Sequence, residues 1–137
     1  MNPSAQSNMM LVGRLLIAAI FLVFGIRKLI AVAGTAGYFA KLGFPMPEVM
    51  AWVAILIEVG GGALLLLGWQ TRRIAWLLIA FTLIAALMAH RYWTFDAAQY
   101  ANQMTHFFKN LAMIGGLLYV AVFGAGALSV DGRSRTS

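Results

Sequence analysis

The chain has 137 residues, of which 62% are hydrophobic and 10% are charged, and its formal net charge is +6. A soluble domain of this size needs far more charge on its surface, so the composition excludes a soluble protein and indicates a membrane protein. The sequence contains no cysteine, which excludes disulfides, thiolate metal sites and dithiol redox chemistry.

The first apolar segment runs from about residue 9 to residue 30, and residues 1–8 are predicted to form an N-terminal tail. Small residues at 31 and 33 resemble a signal-peptide cleavage site. However, no cluster of positive charge precedes the segment, and Arg27 and Lys28 lie just before the site. We therefore expect a retained first span rather than a cleaved leader.

One face of this first span is marked by residues that recur every three or four positions. A helix places such residues on a single side, which we expect to turn inward. The set consists of Arg14, Ala18, Phe21, Gly25 and Lys28.

Residues 34–48 separate the first apolar segment from the second. Tyr38, Phe39 and Leu42 fall on neighbouring positions of a short helix, and Gly43 is a natural stop. We predict a short amphipathic helix that lies at the membrane interface, with an irregular loop as the alternative.

Glu58 is the single charge in the second apolar segment, residues 49–68. A carboxylate at that depth costs at least about 2.5 kcal/mol unless it is protonated, paired or in contact with water. Gly61 and Gly62 lie on the face of Glu58 and would let a neighbouring helix approach closely. We expect contact with span one, with Glu58 near Lys28 on one side or Arg14 on the other. Helix rise makes Arg14 the nearer partner.

Two further apolar segments cover residues 74–90 and 107–123, and residues 127–137 are predicted to form a C-terminal tail. All four segments are predicted to be helices, because lipid admits only helices and closed barrels and the alternation of barrel strands is missing. The predicted fold is all-α, a four-helix transmembrane bundle in one domain at 9–126.

Four spans place both termini on the side of the tight turn that contains Arg72 and Arg73. The basic residues on the two sides nearly balance, so the positive-inside rule gives weak guidance. The double arginine in the short turn favours a cytoplasmic location for both termini.

The side of the long loops gathers several polar groups above Glu58. They are Arg27, Lys28, His90, His106, Lys109 and Asn110. Such a cluster indicates a ligand or proton site, but a buried ion pair of Glu58 that fixes helix packing is an equally open alternative. Haem bound by the two histidines is not expected, because nothing in the sequence fixes their geometry, and no metal site is expected either.

Several segments, taken in order, resemble the DoxX family of small bacterial inner-membrane proteins. They are 13–16 (GRLL), 24–29 (FGIRKL), 42–47 (LGFPMP), Glu58, 67–72 (LGWQTR), 90–93 (HRYW), 108–111 (FKNL) and 124–131 (GAGALSVD). Ala125 stands where the family tail usually has a proline. The resemblance implies a four-helix membrane protein linked to quinone-coupled oxidation. It implies polar site positions at Arg14, Lys28, Glu58, His90, Lys109 and Asn110.

These observations predict a membrane subunit or accessory of a quinone-linked oxidoreductase assembly in the bacterial inner membrane. Glu58 and His90 would exchange protons. A possible quinone would be held by Arg14, Lys28, Lys109 and Asn110. The expected partner is the lipid bilayer, with oxidoreductase subunits and further copies of the chain as open alternatives, and nucleic acid is not expected. The alternative is a non-enzymatic scaffold, assembly factor or small transporter with a structural Glu58–Arg14 pair.

Overall fold

The computed structural model describes residues 2–134, and all regular secondary structure in that part of the chain is helical. Four helical segments are long and apolar enough to cross a membrane. Span one is Pro3–Ile30, span two is Pro47–Leu67, span three is Thr71–Thr94 and span four is Ala97–Phe123. The predicted all-α four-helix bundle is confirmed.

Spans one and four begin earlier than their apolar segments. Span one begins at Pro3, where the side chain of Asn2 accepts a hydrogen bond from the amide of Ala5 at 2.8 Å. Span four begins at Ala97, which follows a cap formed by Asp96. Both helices therefore extend beyond the apolar segments that begin at residues 9 and 107, because capped polar turns precede them, and the bounds of the membrane-crossing segments stay a prediction.

A short connecting helix, Val32–Lys41, follows span one almost without a break. Its Tyr38 hydroxyl donates to the carbonyl of Ala89 in span three at 3.3 Å. Burial raises the pKa of Tyr38, so the hydroxyl remains a neutral donor. The predicted helix is present, whereas its place at the membrane interface stays a prediction.

The hydrophobic core occupies one half of the bundle. The buried residues of span one are Arg14, Ala18, Phe21 and Gly25, so the predicted inward face is confirmed. Leu65, Leu78 and Leu117 from the other three spans complete the centre of the core. We call the end of the bundle that is nearer to this core the turn end (residues 68–71 and 124–134). The opposite end is called the loop end (residues 31–46 and 90–96).

The segment after span four is packed against the turn end. Asp131 accepts hydrogen bonds from the amides of Gln70 and Thr71, both at 2.8 Å, and so caps the start of span three. The amide of Asp131 donates to the carbonyl of Gly68 at 2.9 Å. Residues 127–134 are therefore fixed to the bundle, and the remainder of the predicted tail, 135–137, lies outside the described residues.

Candidate functional site

A cavity of about 650 Å³ lies in the loop half of the bundle, bounded by all four spans and the connecting helix. Most of its wall is apolar, with contributions from Phe21, Phe24, Ile57 and Phe81. The polar residues predicted to cluster at this end, apart from Arg27, all line it. They are Lys28, Glu58, His90, His106, Lys109 and Asn110.

Glu58 forms an ion pair with Lys28 at the wall of the cavity. Lys28 Nζ lies 2.9 Å from Glu58 Oε1 and 2.7 Å from Glu58 Oε2. Glu58 is buried, whereas Lys28 is half-buried. The long, flexible lysine side chain spans the axial distance that had favoured Arg14 over Lys28.

The expected pairing of Glu58 with Arg14 is wrong. Arg14 is buried near the turn end, where its guanidinium donates to the carbonyl oxygens of Ala125 and Leu128, the latter at 2.8 Å. It is not among the residues that line the cavity. Arg14 therefore joins span one to the segment after span four, at the opposite end of the bundle from the cavity.

Glu58 lies in a π-helical turn, Leu56–Gly60, within span two. Such turns accommodate an extra residue in an α-helix and occur often at functional sites. The turn was not predicted, and the only local signal for it is the run of glycines at 60–62. It sets the direction of the Glu58 side chain relative to the glycines that follow.

Gly25 of span one packs directly against this turn. A Cβ atom at Gly25 would lie 2.8 Å from Glu58 Cβ and 2.8 Å from Val59 Cγ2, closer than real side chains approach. Gly62 likewise meets Phe21 and Leu22 of span one. The predicted contact between spans one and two through glycine is confirmed, and it brings Glu58 within reach of Lys28.

The two histidines stack at the loop end, with ring centroids 5.0 Å apart and an interplanar angle of 27°. His90 Nδ1 is 2.8 Å from Gln103 Oε1, and His106 Nδ1 is 3.2 Å from Lys109 Nζ. Haem ligation needs two histidines on opposite sides of one iron, and these stacked rings do not present that geometry. Within residues 2–134, no group of three or more His, Asp or Glu could hold a metal ion.

Some polar residues that line the cavity or contact its lining were given no role in the site from the sequence. Gln103 is buried and orients His90, and it lies between the apolar segments predicted for spans three and four. Tyr38 and Thr82 line the cavity. The buried hydroxyl of Thr82 has no hydrogen-bond partner among the described residues. Single hydroxyls in apolar helices carry no pattern that would reveal such placement.

The charged side chains that line the cavity carry a net positive charge. Two ammonium groups, those of Lys28 and Lys109, face a single carboxylate, that of Glu58. Lys109 Nζ also lies 4.9 Å from the ring centroid of Phe24, so an aromatic face supports part of its charge. An apolar chamber with a few convergent donors suits a lipid-soluble ligand with an oxygen acceptor.

Comparisons with known proteins identify one family model and several named relatives. The DoxX family model matches residues 9–91. Inner membrane protein YphA of Escherichia coli (strain K12) is 37% identical over 95% of this chain and 93% of its own length. Inner membrane protein YqjF of the same strain is 37% identical over 88% of each chain.

A third relative carries a functional name. Putative oxidoreductase CatD of Bacillus subtilis (strain 168) is 38% identical over 64% of this chain and 63% of its own length. A search of solved structures found no match. The family match includes Lys28, Glu58 and His90, while Lys109 and Asn110 of span four lie beyond it.

Proposed function

The chain belongs to the DoxX family of membrane proteins, and we propose that it binds a quinone in the loop-end cavity. In this proposal it is a membrane subunit or accessory of a quinone-linked oxidoreductase assembly. The observation that carries the proposal is a buried carboxylate paired with a lysine at the wall of an otherwise apolar chamber. Quinones combine an apolar body with carbonyl oxygens, which match these two properties of the cavity.

The polar groups suit the recognition of a carbonyl oxygen. Lys28 and Lys109 supply ammonium donors, and the buried amide of Asn110 supplies a neutral donor beside them. Glu58 can hold or release a proton next to that oxygen, because its ion pair with Lys28 changes when a ligand competes for the ammonium group. Electrons would come from the partner oxidoreductase subunit.

The histidine pair suits proton exchange between the cavity and the loop end. Both histidines are half-buried, both line the cavity and their rings stack on each other. Gln103 fixes the orientation of the His90 ring through Nδ1 and leaves Nε2 as the other proton-carrying atom. His90 would therefore relay protons, with His106 at the outer side of the pair.

The names of the relatives support the setting of this function. YphA and YqjF are named inner membrane proteins, and we assign the same location to this chain. CatD is named a putative oxidoreductase, which agrees with a role in a redox assembly. The cytoplasmic location of both termini stays a prediction that depends on Arg72 and Arg73.

Quinone binding by the protein purified in mild detergent tests the proposal. Glu58→Gln keeps the shape of the side chain but removes its charge, and we expect affinity for a short-chain quinone to fall about tenfold. Glu48→Gln is the matched control, because Glu48 is exposed at the start of span two and does not line the cavity. Wild-type protein that binds no quinone, or equal affinity in both variants, would refute the proposal.

A structural role for Glu58 is the second candidate, with a scaffold, assembly factor or small transporter as the function. Its support is that Lys28 contacts both carboxylate oxygens, as in a pair that fixes helix packing. Lys28 takes the place that the sequence analysis had given to Arg14. This candidate predicts that Glu58→Gln changes the stability of the bundle and leaves quinone binding at the wild-type level.

A further inference from the structure

The cavity has a rim of large apolar residues that are also exposed. Val53 is 41% exposed, Leu77 is 44% exposed and Ile84 is 54% exposed, and all three line the cavity. Ala54 and Thr82 line it too, but each is only 3% exposed. The contrast places the first three residues at a mouth and the last two inside.

The mouth lies between spans two and three. Val53 belongs to span two, while Leu77 and Ile84 lie two helical turns apart on the same face of span three. At the depth of Leu77 the two spans close together, because a Cβ at Gly61 would lie 3.0 Å from Leu78 Cδ2, so the opening extends from there towards the loop end. Towards the loop end, the bond from Tyr38 to the carbonyl of Ala89 bridges the connecting helix and span three.

The depth of the mouth is that of the hydrocarbon core. Val53 lies roughly 9 Å along span two from its start at Pro47. Leu77 lies roughly 9 Å along span three from its start at Thr71, at the opposite end of the bundle. The opening therefore faces lipid chains rather than water, and its apolar rim suits hydrocarbon.

We propose that this opening between spans two and three is a lateral portal that admits the ligand from the bilayer and holds its hydrocarbon tail. The polar head of the ligand lies at Lys28 and Glu58, and its tail passes between Val53 and Ile84 and along Leu77. The site is thus selective for compounds that have both a carbonyl head and a long apolar chain. The chemical identity of the ligand's head group rests on the proposed function. The path by which the ligand enters is inferred from the rim residues alone.

Leu77→Trp tests the portal by filling it. Its matched control is Leu83→Trp on the same span, because Leu83 is 43% exposed but does not line the cavity. The probes are one benzoquinone head with a ten-carbon chain and the same head without a chain, titrated into the protein in lipid nanodiscs. We expect Leu77→Trp to weaken binding of the chain-bearing probe about tenfold and to leave the chainless probe unchanged.

Leu83→Trp should leave both affinities at the wild-type level. Ile84→Trp provides a second obstruction at the same rim if Leu77→Trp fails to fold, and it should give the same selective loss. Equal affinity of wild-type and rim variants for the chain-bearing probe would overturn the portal while leaving the proposed function intact. The portal also falls if the rim variants lose both probes equally. Wild-type protein that binds neither probe would overturn the proposed function, and the portal with it.

Discussion

The turn end and the loop end of the bundle each hold a cation of span one, but the partners of the two cations differ. At the turn end, Arg14 is 2% exposed and donates to the carbonyls of Ala125 and Leu128. At the loop end, Lys28 pairs with Glu58 at the wall of a cavity of about 650 Å³. Both cations lie on the same helical face, so face and hydropathy alone do not distinguish them.

The difference lies in what each cation contacts. Main-chain carbonyls are fixed acceptors that belong to the fold, so a cation that they surround stabilises a single arrangement. A carboxylate beside an open chamber can exchange its proton or its partner when a ligand enters. In this bundle, Arg14 stabilises the architecture, whereas Lys28 is the cation that the proposed ligand would contact.

The largest expected effect is on the free energy of unfolding when the buried cation of the turn end is removed. Arg14→Met leaves the carbonyls of Ala125 and Leu128 without their donor, and we expect the free energy of unfolding to fall by about 3 kcal/mol. Denaturant unfolding in detergent micelles measures the change. Arg27→Met is the control, because Arg27 is exposed near the other end of the same span. A loss no larger than that of Arg27→Met would contradict the distinction between the ends.

Gly25→Ala tests how closely the loop half depends on the contact between spans one and two. The added methyl group would lie 2.8 Å from Glu58 Cβ, and we expect a loss of about 2 kcal/mol from overpacking. Gly13→Ala adds a methyl group to the same span where no atom lies within 4 Å, so it should be neutral or slightly stabilising. If the two variants unfolded alike, the close approach at Gly25 would lose its support.

A double-mutant cycle sharpens the comparison at the loop end. Lys28→Met leaves Glu58 unpaired at the cavity wall, and Glu58→Gln removes the acceptor charge for Lys28. We expect the double variant to recover about 1 kcal/mol relative to the sum of the single losses. Its stability should approach that of the wild type, whereas the proposed affinity for quinone should stay low. Additive losses in unfolding would show that the pair is not coupled.

The smallest expected effect concerns the cap at the turn end. Asp131→Ala removes acceptors from the amides of Gln70 and Thr71, and we expect a loss of about 1 kcal/mol. Ligand affinity should not change, since the cavity lies in the other half. A change in quinone affinity as large as that of Glu58→Gln would show that the two ends are not independent.

The sequence predicted the number of spans, the inward face of span one and the glycine contact beside Glu58. These features depend on periodicity and residue size, which are local properties. The partners of Arg14 could not be predicted in the same way, because Ala125 and Leu128 lie far along the chain and contribute only carbonyls. Every residue has a main-chain carbonyl, so the residue type does not indicate which carbonyl accepts a hydrogen bond.

The residues gathered at the candidate site were predicted from the sequence, but the partner of Glu58 was not. Depth along four helices brings Lys28, His90 and Lys109 to one end whatever the details of packing. The choice between Lys28 and Arg14 depended on side-chain reach and on the π-helical turn, and helix rise accounts for neither. Thr82 and Gln103 were missed because their roles arise from three-dimensional neighbours.

The π-helical turn at Leu56–Gly60 also limits how the gene can vary. Such a turn is equivalent to one residue inserted into a regular helix, so deletion of a single codon in this stretch would restore uniform winding. Because the turn absorbs the extra residue, the helix on either side of it would keep its present faces after the deletion. Glu58 lies within the turn, so the deletion would change the direction of its side chain while the glycines at 61 and 62 kept their contacts. A deletion in this stretch would therefore preserve the packing of the bundle and lose the contact between Glu58 and Lys28.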